Sequence, residues 1–390
     1  MKKILLISPY PPAQNPRLVK EYETLKQEGF YVKVLFAERD KWASVHTLAQ
    51  NTDFIRVGGK YGSVFYYFSR IIHKLIRNIF PFEFGYNRVS LLLYLKAMSI
   101  KSDLYIGHNL ASLPLVVKLA KRNYGKCGFD AEDFHRNEVT DTITDKDVKL
   151  KTLIEDKYIQ QIDYFTAASP LIAKSYKNLY PKLNPIIINN VFKKKYQPIL
   201  NLANNKSLKL FWFSQTIGTN RGLEDVIRAL NSLNNPMIEL HLLGNVSTNT
   251  ATHFKKLAIF KINYHAPISG NRIFNLAAKC DIGLALEPGF CLNNKIALSN
   301  KIFTYLISGL AVIASDTLAQ KKFLTEYPLI GMSYPIGDIQ ALAKTIDTYD
   351  KNRNLLNEAK TNSHQLAKLE FNWEKESFKF IQVIDNVLNN

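Results

Sequence analysis

The chain has 390 residues, enough for two domains with separate cores, and its 46% hydrophobic content excludes wholesale disorder. Its three cysteines, Cys127, Cys280 and Cys291, lack metal-ligand spacing and read as reduced thiols. The net charge of +18 is uneven: residues 1–200 hold 31 Lys and Arg against 18 Asp and Glu, a field that favours an anionic partner, either nucleic acid or an acidic membrane surface.

The chain starts with Met1-Lys2-Lys3-Ile4-Leu5-Leu6-Ile7-Ser8-Pro9. This apolar run is too short for a signal peptide and reads as a buried strand, so a cytoplasmic location is expected. No uninterrupted apolar run approaches the roughly 18 residues needed to span a bilayer. Ser8-Pro9-Tyr10-Pro11-Pro12 stands where a dinucleotide fingerprint would place glycines, which argues against a nicotinamide oxidoreductase. Further strands are predicted at Val32–Phe36, Phe54–Val57, Leu104–Ile106, Cys127–Phe129, Tyr164–Ala167 and Ile186–Ile188. Helical periodicity lies between them, as at Leu18, Tyr22 and Leu25, and this alternation implies a parallel sheet covered on both faces.

No acidic residue occurs between Asp53 and Glu83. Phe65, Phe68, Ile72, Leu75 and Ile79 recur there at helical spacing, with Arg70, Lys74 and Arg77 off the stripe. A basic amphipathic helix of this kind fits an anionic bilayer surface, so residues 65–80 are expected to give peripheral membrane attachment. Asp145-Lys146-Asp147 matches a loose metal-binding pattern but sits in an acidic loop and reads as solvated.

A polar, Asn-rich stretch from Lys193 to Ser207 reads as a linker. Alternation then resumes with strands at Leu208–Phe213, Ile238–Leu243, Ile262–Tyr264, Ile282–Leu286 and Ala311–Ala314, and helices starting near Arg221, Ser269 and Ser299. Two segments stand out. Phe211-Trp212-Phe213-Ser214-Gln215-Thr216-Ile217-Gly218-Thr219-Asn220-Arg221-Gly222-Leu223 passes from a strand through a turn into a helix. Ser299-Asn300-Lys301, followed by Tyr305-Leu306-Ile307-Ser308-Gly309, opens another helix and stops it with glycine. Each places a cation, Arg221 or Lys301, near a helix N-terminus, where unpaired N–H groups and the helix dipole favour a diphosphate. In open parallel sheets ligands sit beyond the strand C-termini, so the cleft between the two domains is the expected site.

These segments, with Asp103-Leu104-Tyr105-Ile106-Gly107-His108-Asn109, Phe129-Asp130-Ala131-Glu132-Asp133, Ala168-Ser169-Pro170, Asn189-Asn190-Val191 and Phe371-Asn372-Trp373-Glu374, resemble the GT-B glycosyltransferases, specifically the glycosyltransferase family 4-like (group 1) enzymes. The resemblance implies an α/β architecture, GT-B, of two Rossmann-like doubly wound domains facing a cleft. Residues 1–200 would form the acceptor domain, 201–370 the nucleotide-sugar donor domain, and 371–390 a helix crossing back to the first domain. It also implies transfer of a sugar from a nucleotide-diphosphate donor to a glycan or lipid-linked acceptor, commonly with retention, with no cofactor and no metal.

On this reading Gly218, Arg221, Gly222, Glu287, Asn300, Lys301 and Thr304 belong to the donor site. Cations there would neutralise the leaving diphosphate, and the glycines would allow close backbone approach. His108, at a strand end, is expected to hydrogen-bond the donor sugar; Glu132 and Asp133, at the next strand end, to take the acceptor hydroxyl's proton. Arg17, opening the first helix, is placed with an anionic acceptor or with the diphosphate. The chain departs from the family in two ways. Ile296 and Thr304 stand where a pair of glutamates is common, and Pro11-Pro12-Ala13 replaces a glycine pair after the first strand. Thr304 in place of a glutamate leaves a non-catalytic GT-B scaffold open, and the same fold leaves open another nucleotide-sugar enzyme such as an epimerase or phosphorylase. A nucleic-acid partner is not expected, because the basic residues are interleaved with aliphatics and no groove-reading or stacking motif appears.

Overall fold

The computed structural model describes residues 1–38, 51–77, 81–203, 207–268 and 270–389. Two compact units divide the chain: Met1–Asn189 with Ser377–Asn390, and Asn190–Glu376. The division falls just ahead of the polar stretch expected as a linker, and the final helix, Trp373–Asn389, belongs to the first unit from Ser377 onward.

The first unit holds a seven-stranded sheet of β1 (Lys3–Ser8), β2 (Tyr31–Ala37), β3 (Phe54–Val57), β4 (Leu104–His108), β5 (Lys126–Ala131), β6 (Tyr164–Ala167) and β7 (Ile186–Ile187), in the order β3-β2-β1-β4-β5-β6-β7. Every pairing is parallel. Leu5, Leu6, Ile7, Leu104, Tyr105 and Ile106 are fully buried. That is why these strands read as continuous apolar runs with no alternation. The helix Pro16–Gln27 starts with Pro at its first position and is capped by Asn15, whose side chain accepts from the Leu18 N–H.

The second unit holds β8 (Leu208–Ile217), β9 (Ile238–Val246), β10 (Ile262–His265), β11 (Ile282–Ala285), β12 (Ala311–Ser315) and β13 (Gly331–Tyr334), in the order β10-β9-β8-β11-β12-β13. These strands are also all parallel. Leu208, Leu210, Trp212, Leu240, Leu242, Ile282, Leu284, Ala311 and Ile313 form the centre of its core. Both sheets are therefore doubly wound, with the strand order reversing between β1 and β4 in the first and between β8 and β11 in the second.

The structure changes several expectations. β8 continues to Ile217, through the polar residues read as a turn, with a register shift between Phe213 and Thr216. Such a bulge re-aims the strand end. β13 was not expected, because only Tyr334 of its four residues is fully buried and its apolar signal is weak. The helix expected near Arg221 begins at Leu223. The helix start expected at Ser269 lies outside the described residues; the next described helix is Arg272–Ala277. Asp145 caps the helix Lys146–Tyr158 by accepting from the Asp147 N–H at 2.7 Å, and Asp147 pairs with Lys151 at 2.8 Å. Among the described residues no helix is long and apolar enough to cross a membrane.

Candidate active site

In the second unit the strand C-termini around the β8/β11 reversal carry most of the expected donor residues. After β8 the chain turns through Asn220 and Gly222, both with positive φ, and Gly222 caps the helix Leu223–Leu233. A Cβ on Gly222 would lie 2.8 Å from the Cβ of Leu286, so glycine is required both by its backbone conformation and by the approach of the β11 loop. Arg221 is exposed, just ahead of this helix, and its Nη1 donates to Ser214 Oγ at 2.9 Å. The surroundings of Gly218 are open, with the Arg221 Nε 4.0 Å from a Cβ built there.

Lys301 lies in the first turn of the helix Asn300–Ser308. Its ammonium is 5.8 Å from the Trp212 ring centroid and 2.9 Å from Glu287 Oε1. Trp212 and Ser214 are neighbouring positions of β8, so one strand end anchors both cations. Glu287 is the residue that spacing alone could not place. Its Oε1 also accepts from Ser299 Oγ at 2.8 Å, and its Oε2 accepts from Asn294 Nδ2 at 3.1 Å. Burial would raise its pKa, but Lys301 and the two hydrogen bonds hold it below the usual carboxylate value. The Glu287 backbone N–H donates to Ser315 Oγ at 2.9 Å, tying the β11 loop to the end of β12.

Asn300 is exposed at the helix start. Thr304 is different: it is 2% exposed and its hydroxyl donates to the Asn300 carbonyl at 3.5 Å. The expectation that it lies at the donor surface is corrected, because its side chain is buried, as is every residue of this helix from Ile302 to Ser308.

Beside these residues lies a cavity of about 490 Å³, lined among others by Asn220, Gly222, Asp225, Glu287, Ser315 and Tyr334. Asp225, Ser315, Tyr334 and Asn294 were not singled out from sequence, and Ser299 was read only as a helix start. Tyr334 was missed together with its strand; the others are ordinary polar residues whose only signal is their place at strand or helix ends. Carboxylates along this cavity can accept hydrogen bonds from sugar hydroxyls, while Arg221 and Lys301 can hold anionic oxygens.

In the first unit the ends of β4 and β5 meet the helix Pro16–Gln27 in a buried charge cluster. His108 and Asp130 are register partners on β4 and β5. Arg17 Nη2 donates to Asp130 Oδ1 at 2.6 Å, and its Nη1 donates to the Ile188 carbonyl. His108 Nε2 lies 3.1 Å from Glu21 Oε2, and Nδ1 lies 3.5 Å from Asp130 Oδ2 and 3.7 Å from Glu132 Oε1. Burial alone would lower the His108 pKa, but Glu21, Glu132 and Asp130 together raise it to about 10, so the ring is an imidazolium at neutral pH.

Two expectations are corrected here. Arg17 and His108 are both 0% exposed, with their polar atoms turned to these partners, so neither presents a surface to an acceptor or a sugar. Glu132 does reach the surface: its side chain is 20% exposed, against 0–1% for Arg17, Glu21, His108 and Asp130. Its Oε1 accepts from Asn15 Nδ2 at 2.7 Å. Burial would raise its pKa, but His108, then Arg17 and Asn15, bring it below the ordinary carboxylate value. It is thus an ionised, oriented hydrogen-bond acceptor. Asp133 follows it and is half-buried.

No protein-family model and no curated protein matches the sequence. Solved structures do. Sucrose-phosphate synthase from Thermosynechococcus elongatus superposes with a TM-score of 0.77 at 13% identity, over 100% of both chains. Anabaena HepE, solved with UDP and glucose, gives 0.71 at 12% identity, over 99% of this chain and 100% of that one. A glycosyltransferase from Rickettsia africae gives 0.68 at 14% identity, over 100% and 99%. At these identities the likeness establishes the fold, which is that of the GT-B glycosyltransferases, with two Rossmann-like α/β units.

Proposed function

We propose that this protein is a glycosyltransferase that moves a sugar from a nucleotide-diphosphate sugar to a glycan or lipid-linked acceptor in cell-surface polysaccharide assembly. The observation that carries the reading is the second unit's strand-end cavity with Arg221 and Lys301 anchored to one strand beside it. Two cations next to a hydroxyl-binding, carboxylate-lined cavity match the two halves of a sugar nucleotide. The GT-B neighbours support it, since HepE was solved with UDP and with UDP-glucose.

In this reading Arg221, Lys301 and the N–H groups at Asn300 stabilise the diphosphate as the glycosidic bond breaks, with no resident metal or cofactor. Glu287 serves twice: it fixes Lys301 and offers its remaining acceptor capacity to donor hydroxyls. Glu132 and Asp133 face the acceptor hydroxyl, with Glu132 held in place by Asn15 and the His108 imidazolium. Transfer with retention is part of the proposal. So is work at the cytoplasmic face of a membrane, with residues 65–80 contacting an anionic surface.

The test is thermal unfolding with UDP, GDP, ADP, dTDP and CMP and their sugar conjugates, on wild type, Lys301→Ala and Arg221→Ala. A ligand at a hundred times its dissociation constant stabilises by about 2.7 kcal/mol. The expected result is a shift with one diphosphate that shrinks in both variants. Arg221→Ala matters because that side chain is exposed and its loss leaves no buried partner behind. If folded wild type responds to no nucleotide, the reading is wrong.

A further inference from the structure

The helix Val64–Ile76 of the first unit faces water the wrong way round. Successive residues turn by about 100° around a helix axis. Tyr66 and Ser69 are buried and define the inward side, and His73 is held there by its Nε2–H, which donates to the Gly85 carbonyl at 2.9 Å. The opposite, outermost arc consists of Val64, Phe68, Ile71 and Leu75, which are 87%, 52%, 57% and 65% exposed. A helix that merely packs on its own sheet would carry polar residues on that arc. The outward stripe is shifted from the one periodicity indicated: Ile72 is half-buried, Ile71 takes the outer position, and Ile79 lies outside the described residues. Arg70, Lys74 and Arg77 all fall on one flank, between the buried and outermost faces.

On that flank is a cavity of about 500 Å³ lined by Tyr67, Arg70, Ile71, His73, Lys74 and Arg88. Among the described residues that line it are three cations, Arg70, Lys74 and Arg88, and no carboxylate. Arg88 is pre-positioned by neutral groups: Nη1 donates to the Gly58 carbonyl at 3.2 Å and to Ser69 Oγ, Nη2 donates to the Glu38 carbonyl at 2.6 Å, and the guanidinium sits 4.4 Å from the Tyr66 ring centroid. Burial lowers its pKa, Tyr66 opposes that, and the neighbouring Arg70 cation adds to the lowering. Arg70 and Lys74 form no ion pair among the described residues. A fixed guanidinium flanked by two exposed cations is a receptor for a tetrahedral anion, and apolar residues border it on the outward side.

We propose that this cavity seats the phosphodiester of an anionic phospholipid, with the acyl chains lying over Val64, Phe68, Ile71 and Leu75. The proposal rests on the membrane contact put forward above and adds to it a defined headgroup site. The apolar arc and the cationic flank match the two layers of a bilayer surface, acyl boundary and phosphate plane.

The experiment is co-sedimentation of the full chain at low salt with phosphatidylcholine vesicles, with and without phosphatidylglycerol. It compares wild type with Arg70→Gln/Lys74→Gln and with Lys255→Gln/Lys256→Gln, a charge-matched exposed pair on a second-unit helix. All these side chains are exposed, so the variants are expected to fold. A surface cation contributes about 1 kcal/mol, so the first variant should lose about 30-fold in partitioning to phosphatidylglycerol vesicles while the second changes less than about 3-fold. Equal losses in both variants would overturn the headgroup site and leave general membrane attachment standing. Failure of wild type to sediment with phosphatidylglycerol vesicles would remove the membrane reading itself. A third arm uses phosphatidylcholine vesicles carrying a polyprenyl diphosphate; Arg70- and Lys74-dependent binding to these alone would overturn the phospholipid assignment in favour of a lipid-linked acceptor.

Discussion

Glu287 and His108 illustrate how a side chain's neighbours set its role. Glu287 lies well upstream of the positions where paired glutamates were sought, yet its carboxylate meets Ser299 and Lys301 at the helix start. A chain with Ile296 and Thr304 in place of glutamates therefore still brings one ionised carboxylate to the cationic helix end. In the first unit, His108 holds its proton far more tightly folded than unfolded, with a pKa of about 10 against 6.5. The folded state binds that proton preferentially, so its stabilising contribution is complete below about pH 6.5 and is lost as pH rises through 10. Thermal unfolding measured from pH 7 to pH 10 should show a falling midpoint in wild type. His108→Gln should start lower, because it leaves buried carboxylates short of a partner, and should fall less steeply. Parallel slopes in the two proteins would refute the buried imidazolium.

One glycine seats the helix Asn300–Ser308. Gly283, in β11, lies beneath the Tyr305 ring, and a Cβ there would sit 2.1 Å from it. The Tyr305 hydroxyl donates to the Leu284 carbonyl at 2.8 Å, so the ring is fixed at both its face and its tip. Lys301 is one turn earlier on the same helix and takes its position from this contact. Gly283→Ala should force the helix away from the sheet, destabilise the fold by about 1–3 kcal/mol in a denaturant titration, and weaken whatever nucleotide wild type binds. Unchanged stability together with unchanged nucleotide affinity would mean that Tyr305 does not set the helix's place.

Across the molecule, the charge of +18 acts as a field that adds to the local contacts. Within the stretch between Asp53 and Glu83, which has no carboxylate, residues 64–76 form an exposed helix of the first unit, so the basic bias of residues 1–200 includes a defined surface. Exposed charges are screened over roughly 8 Å at 0.15 M salt and roughly 3 Å at 1 M. Vesicle sedimentation should therefore fall sharply from low salt to 1 M if the cations dominate. A residual, salt-resistant fraction should disappear in Phe68→Ser/Leu75→Ser, which removes apolar contact from the outermost arc and leaves every charge in place. Salt-independent binding would place the attraction elsewhere.

Buried parallel strands were legible because both faces are covered and each reads as an unbroken apolar run, as at Ile4–Ile7 and Ala311–Ala314. β13 escaped because Gly331-Met332-Ser333-Tyr334 is mostly half-exposed and carries no such run. Arg221 and Lys301 were also legible, since a cation beside a helix start is a local pattern. Local pattern could not assign the meetings of residues distant in sequence: Arg17 with Asp130, His108 with Glu21, Glu287 with Lys301. Nor could it tell that Thr304 would be buried, or that Ile71 and not Ile72 would take the outer position beside Phe68 and Leu75. Sequence alone determined the alternating α/β order and the placing of Arg221 and Lys301 beside helix starts, because strand burial and helix-end patterns act within a few residues. Tertiary structure alone decided which charges are neutralised in the interior and which remain for a ligand, because that depends on side chains brought together by the winding of the sheets.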